Sequence, residues 1–210
     1  MSEMLDRLLQ EKIVAIFRGI EDKDADRSAQ ALIDGGITMM EITLNTEGAT
    51  VMINRWREKF GGRAAIGAGT VLDLDMAKEA AAAGAQFLIS PNLDESVVAY
   101  GRERGISVWP GVTTPTEIVR AWKAGADAVK LFPLGTLGWK YLAEIRAPLN
   151  HIPMIATGGV NLDNIADYFQ AGACAVGMGG KLVDLEWIRN GQFQLLTERA
   201  RKFSDAVKKL

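Results

Sequence analysis

Residues 123–133 read KAGADAVKLFP. Gly125 closes a helical pattern, a tight link follows, and an apolar strand-like run from Ala128 to Phe132 stops at Pro133. The phrase returns as DGGITMMEITL from Asp34, AAGAQFLISP from Ala82, ERGISVWPG from Glu103 and QAGACAVGMGG from Gln170. Recurrence of one helix–glycine–strand unit predicts alternating β and α elements. Strands read at 13–18, 38–44, 64–69, 86–90, 106–110, 127–132, 153–157 and 174–178 make eight, with helical patterns between most of them.

Eight such units in 210 residues predict an α/β chain folded as one (β/α)8 TIM barrel over residues 1–210, with an additional helix at 2–11. Thr114-Pro115-Thr116-Glu117 has capping-box spacing with proline at the first helical position, so a helix starts there. Residues 185–210 form a closing amphipathic helical region whose basic side chains face solvent. The competing architecture is an open doubly wound sheet. It calls for fewer strands and a dinucleotide fingerprint, and neither GAGTVL nor GMGGKL completes G-x-G-x-x-G.

A net charge of −2 with interspersed signs leaves no basic footprint for nucleic acid or an anionic membrane, so a small molecule is the expected partner. Apolar runs are strand-sized, short of the roughly 20 residues that span a bilayer. The charged N-terminus MSEMLDRLLQ lacks a signal-peptide pattern, and a cytoplasmic protein is expected. Cys174, the one cysteine, sits between alanines as a small core residue, and the lone histidine, His151, reads as loop surface. Neither metal nor cofactor is expected.

Lys130 is the lysine placed inside an apolar strand. Burial disfavours the ammonium and lowers its pKa below the ~10.4 of a free lysine, which leaves a nucleophilic amine suited to Schiff-base chemistry. The competing account is a lysine that snorkels from a strand end to a carboxylate. Catalytic groups of a parallel barrel gather at the C-terminal strand ends, and three other ends carry polar groups. Arg18 ends IVAIFR, Glu41 lies in MMEIT, and Thr70 follows GAG. Strand alternation lets Glu41 and Lys130 both face the barrel mouth. Together Arg18, Glu41 and Lys130 read as carboxylate clamp, proton shuttle and nucleophile, against the alternative of a buried ion-pair network. Thr157-Gly158-Gly159 and Gly177-Met178-Gly179-Gly180 end the seventh and eighth expected strands, the usual place for a phosphate cradle of backbone amides.

In order and spacing, VAIFRGI, MEITLNT, IGAGTVL, FLISPN, WPGVTTPTE, VKLFP, ATGGVN and AVGMGG resemble the 2-keto-3-deoxy-6-phosphogluconate (KDPG) aldolase family. That family also holds 4-hydroxy-2-oxoglutarate (KHG) and 2-keto-3-deoxy-6-phosphogalactonate aldolases, and the likeness covers nearly the whole chain. It implies a homotrimer of barrels and a class I, metal-free cleavage of a keto sugar-acid phosphate. By position it implies Lys130 as the Schiff-base lysine, Glu41 as acid/base, and Arg18 and Thr70 as the carboxylate-binding pair. Pro91 and Phe132 would line the pyruvyl pocket, Thr157 would face substrate hydroxyls, and Gly158, Gly159 and Gly179 would hold phosphate. Two positions depart from the pattern. Gly180 stands where many members have serine, and Asn45 replaces an arginine common in gluconate-type members. Other readings are a thiamine-phosphate synthase-like transferase, a sugar-phosphate epimerase, or a binding protein that senses pyruvate and phosphate.

Overall fold

The computed structural model describes residues 2–210, so Met1 of the expected 1–210 domain lies outside the described residues. Among the described residues ten helices and nine strand segments follow one another, beginning with α1 (Glu3–Glu11), β1 (Ile13–Phe17), α2 (Asp22–Asp34), β2 (Met39–Thr43), α3 (Ala49–Phe60) and β3 (Ala65–Gly69). Next come α4 (Leu74–Ala82), β4 (Phe87–Ile89), α5 (Glu95–Arg104), β5 (Ser107–Trp109), β6 (Gly111–Val112) and α6 (Pro115–Ala124). The chain finishes with β7 (Val129–Leu131), α7 (Leu134–Arg146), β8 (Met154–Thr157), α8 (Ile165–Gln170), β9 (Ala175–Met178), α9 (Leu185–Arg189) and α10 (Phe193–Val207).

All strand pairings are parallel, in the order β5-β4-β3-β2-β1-β9-β8-β7-β6. The sheet therefore begins on β5, which lies within the fifth expected strand, and ends on β6, a two-residue continuation just beyond the expected end at 110. They part at Pro110, which has no N–H to give a ladder, although its carbonyl accepts from Lys130 N at 2.9 Å. β5 pairs with β4 and β6 with β7, so the broken strand carries the barrel round to closure. The sixth, seventh and eighth expected strands are β7, β8 and β9.

Every strand residue is buried, and the side it faces alternates with period two. Val14, Met39, Ala65, Phe87, Trp109, Ala128, Ile155 and Ala175 form one cluster inside the barrel. Their neighbours Ala15, Met40, Ile66, Leu88, Val108, Val129, Ala156 and Val176 belong to the core between sheet and helices. Leu5 and Leu8 of α1 join the inner cluster, so the N-terminal helix plugs the barrel's lower end. Ser2 caps α1 by accepting from Leu5 N and donates to Asp127 at 2.9 Å, which ties the plug to the turn before β7. The capping box at Thr114 and Glu117 is present with Pro115 in the first turn. The closing helical region is two helices, α9 and α10. No helix among the described residues is long and apolar enough to cross a membrane.

Candidate active site

Because residues 39 and 41 share parity, as do 128 and 130 and likewise 155 and 157, the strands that put Met39, Ala128 and Ile155 inside also turn Glu41, Lys130 and Thr157 inward one layer higher. All three are buried, with 1%, 5% and 5% of their surface exposed. They share a narrow cavity with Ile16, Ile89 and Ile155. Room for the carboxyl comes from the next strand: a methyl group at Gly69 would stand 2.6 Å from Glu41 Oε1 and 2.7 Å from its Cδ.

Burial dominates the electrostatics and acts oppositely on the two groups. It pushes the Glu41 carboxyl up, a rise opposed by the positive charges of Lys130 and then Arg18. It pulls the Lys130 ammonium down, opposed by Glu41 and assisted by Arg18. No ion pair within 4.0 Å joins Glu41 to Lys130 among the described residues. Glu41 Oε2 is buried without a hydrogen-bond partner, and Lys130 Nζ lies 5.0 Å from the centre of the Phe132 ring. A group that resists ionising as an acid thus faces one that resists ionising as a base. That is the state in which an amine attacks a carbonyl and a carboxyl group trades protons.

Arg18 leaves the end of β1 into solvent, and its Nη1 donates to Asn45 Oδ1 at 3.2 Å. Thr70, half-buried just beyond β3, adopts φ 58°, a left-handed conformation that a β-branched residue rarely takes. The turn is held by Leu44 N donating to Gly69 O at 2.8 Å and Val71 N to Ile89 O at 3.1 Å. Pro91 and Phe132 are half-buried just beyond β4 and β7. Gly158 and Gly159 follow β8 with φ of 103° and 74°, and they pack on the backbone of Gly135: a Cβ on Gly159 would meet Gly135 Cα at 2.8 Å. Gly179 and Gly180 follow the neighbouring β9 in open space, with exposed Lys181 after them.

Glu41, Lys130 and Thr157 are therefore brought into one cavity, with Arg18 coupled to the first two by charge. Thr70, Pro91, Phe132 and the two glycine pairs stand just beyond the C-terminal strand ends, at the same end of the barrel. The N-terminus of α9 is already occupied, since Asp184 accepts from Glu186 N and Trp187 N, so an anion beside β9 has the amides of residues 179–181 rather than that helix end. Three features escaped the sequence reading. The apolar walls Ile16, Ile89 and Ile155 were within reach of the same two-residue periodicity. The space Gly69 leaves for Glu41 and the contact of Gly135 with Gly158-Gly159 link separate strands and carry no local signal.

A family model described as KDPG and KHG aldolase matches residues 4–198. The 2-dehydro-3-deoxy-6-phosphogalactonate aldolase of Escherichia coli (strain K12) is 36% identical over 171 residues, covering 81% of this chain and 83% of that protein. The 2-dehydro-3-deoxy-phosphogluconate aldolase of Treponema pallidum (strain Nichols) is 35% identical over 196 residues, 93% of this chain and 91% of its own. Among solved structures, KDPG aldolase from Legionella pneumophila, with pyruvate captured at low pH as a covalent carbinolamine intermediate, superposes with TM-score 0.85 at 30% identity. The match spans 90% of this chain and 92% of that one.

Proposed function

The chain belongs to the KDPG and KHG aldolase family, and on that premise we propose that it cleaves 2-keto-3-deoxy-6-phosphogluconate into pyruvate and glyceraldehyde 3-phosphate through a Schiff base on Lys130. The observation that carries this reading is the pairing of Lys130 and Glu41, both buried in one cavity and displaced in opposite senses. Neutral Lys130 adds to the C2 carbonyl, the protonated Glu41 gives its proton to the C2 hydroxyl so that it leaves as water, and an iminium ion and the Glu41 carboxylate remain. Glu41 takes the proton of the C4 hydroxyl as the C3–C4 bond breaks, and the electron pair of that bond passes into the iminium to give an enamine. The aldehyde departs, a proton returned from Glu41 to C3 regenerates the iminium, and water releases pyruvate and the free amine while the Glu41 carboxylate takes up the proton set free.

Arg18 grips the keto-acid carboxylate with paired N–H donors, assisted by Thr70. Pro91 and Phe132 close the pyruvyl pocket, Thr157 faces a substrate hydroxyl, and Gly158, Gly159, Gly179 and Gly180 hold the phosphate through their amides. The galactonate epimer is the second reading, favoured by Asn45 in place of the arginine usual in gluconate-type members and by the name of the Escherichia coli relative. Residues 1–210 act as one catalytic domain of a cytoplasmic homotrimer. The exposed Trp122, Leu137 and Trp139 on the successive helices α6 and α7 support burial between subunits.

Pyruvate with borohydride tests the nucleophile: a reduced pyruvyl adduct is expected on the peptide containing Lys130, and label on another lysine refutes the assignment. Lys130→Arg keeps the charge but abolishes turnover, because a guanidinium does not deprotonate. EDTA leaves the wild-type rate unchanged, since the iminium is the electron sink.

A further inference from the structure

Arg18 is held at three points, all supplied by residues 43–46, TLNT. Gly19 N donates to Thr46 Oγ1 at 2.9 Å, the hydroxyls of Thr46 and Thr43 lie 3.0 Å apart, and Thr43 Oγ1 donates to the Phe17 carbonyl at 3.3 Å. Since Thr43 gives its proton to Phe17, the proton between the two hydroxyls belongs to Thr46, and the chain runs in one direction from Gly19 to Phe17. It bridges the peptide groups on either side of Arg18. Thr43 and Thr46 are 0% and 4% exposed, so water does not compete for these bonds. The third point is the bond from Arg18 Nη1 to Asn45 Oδ1 at 3.2 Å. A neutral amide fixes one edge of the guanidinium without cancelling its charge, and Arg18 has no carboxylate within 4.0 Å among the described residues.

We infer that Thr43, Thr46 and Asn45 are positioning residues for the carboxylate subsite: the two hydroxyls lock the backbone from which Arg18 projects, and Asn45 sets its guanidinium plane. The clip rests on the reading of Arg18 as the carboxylate clamp. Its effect is to complete before binding the ordering that the substrate would otherwise have to impose on a long, exposed side chain.

The clip contributes alike to ground and transition states, so its loss falls on KM. Thr46→Val keeps the side-chain shape and removes the hydroxyl, and it raises KM for the keto acid about tenfold with kcat within about twofold. Thr46→Ser restores the wild-type KM. Asn45→Ala raises KM about threefold, and Asn45→Asp raises it further because a carboxylate there competes for the guanidinium. In an Arg18→Gln background, neither Thr46→Val nor Asn45→Ala adds to the rise, the non-additivity expected of residues that act through one group. If Arg18→Gln raises KM while Thr46→Val and Asn45→Ala leave it at the wild-type value, or if their effects add fully to that of Arg18→Gln, the clip is refuted and the carboxylate reading stands. If Arg18→Gln itself leaves KM unchanged, both fall. Should Thr46→Val not fold, the series at exposed Asn45 carries the same comparison.

Discussion

Lys130 and Glu41 each sit where the solvent would not choose to leave them, and each is the other's main electrostatic compensation. Their coupling has a measurable sign. The negative charge of Glu41 raises the Lys130 pKa and the positive charge of Arg18 lowers it. The rate of imine formation rises with pH as Lys130 loses its proton. Over the range where Glu41 is ionised, Glu41→Gln therefore moves that rising limb to lower pH, and Arg18→Gln moves it to higher pH. Pyruvate trapping across a pH series checks both, and shifts in the same direction would contradict the arrangement. Glu41→Gln still forms the imine but loses cleavage by roughly the 10²–10⁴-fold typical of a positioned acid/base. Gly69 makes an independent test, because its missing side chain leaves the space the carboxyl occupies. Gly69→Ala displaces Glu41 without changing its chemistry, and cleavage falls on the order of 10²-fold while trapping on Lys130 survives.

Among the elements, α6 shows how far local sequence reaches. Its capping box was legible as Thr114-Pro115-Thr116-Glu117 because each partner lies within one helical turn. Glu117 Oε2 accepts from Thr114 N at 2.8 Å and Thr113 N at 2.9 Å, and these amides hold its carboxyl below the ordinary 4.5. A carboxyl depressed in the folded state stabilises the protein above its unfolded pKa, and the contribution is lost as pH falls through the folded value. Urea unfolding of Glu117→Gln should show lower stability than wild type at neutral pH, with the gap closing below pH 4.5. Thr114→Ala costs about 1 kcal/mol on the same assay. Strand parity was legible too, since Glu41 and Lys130 follow Met39 and Ala128 by two residues. What stayed hidden was set by partners distant in sequence. The fifth strand reads as ending at 110, yet beyond Pro110 a second piece, Gly111–Val112, continues it, because the two pieces pair with different neighbours, β4 and β7. The hydroxyl chain around Arg18 depends on β1 and β2 lying side by side, so Thr43 and Thr46 carried no sign of it.

For the molecule as a whole, the barrel sorts stability and chemistry to opposite ends. Below, α1 fills the opening with Leu5 and Leu8. Above, the ends of β1, β2 and β7 carry Arg18, Glu41 and Lys130, and in the proposed function the loops after β8 and β9 take the distal end of the substrate. The distal half is unequal. Gly158 and Gly159 are fixed in left-handed conformations against Gly135, whereas Gly179 and Gly180 border open space, and Asp184 already fills the helix end beyond them. On the proposed assignment, a phosphate would thus be held firmly from the β8 side and loosely from the β9 side. Such an anchor lies far from the bond that breaks and contributes alike to ground and transition states, so removing the phosphate from the substrate raises KM more than it lowers kcat. Equal kcat/KM with and without phosphate would reduce both glycine pairs to turns and favour a non-phosphorylated substrate such as 4-hydroxy-2-oxoglutarate. The loose side can also be tightened. A side chain at Gly180 meets nothing within 4 Å, and the position is not among those with positive φ. Gly180→Ser therefore enters without strain and offers a hydroxyl to the anion. At so exposed a position this yields less than a buried charged hydrogen bond, and KM for the phosphorylated substrate is expected to fall roughly three- to tenfold. KM for the unphosphorylated analogue stays put. A fall for both substrates, or for neither, would mean that the phosphate does not lie against the β9 loop.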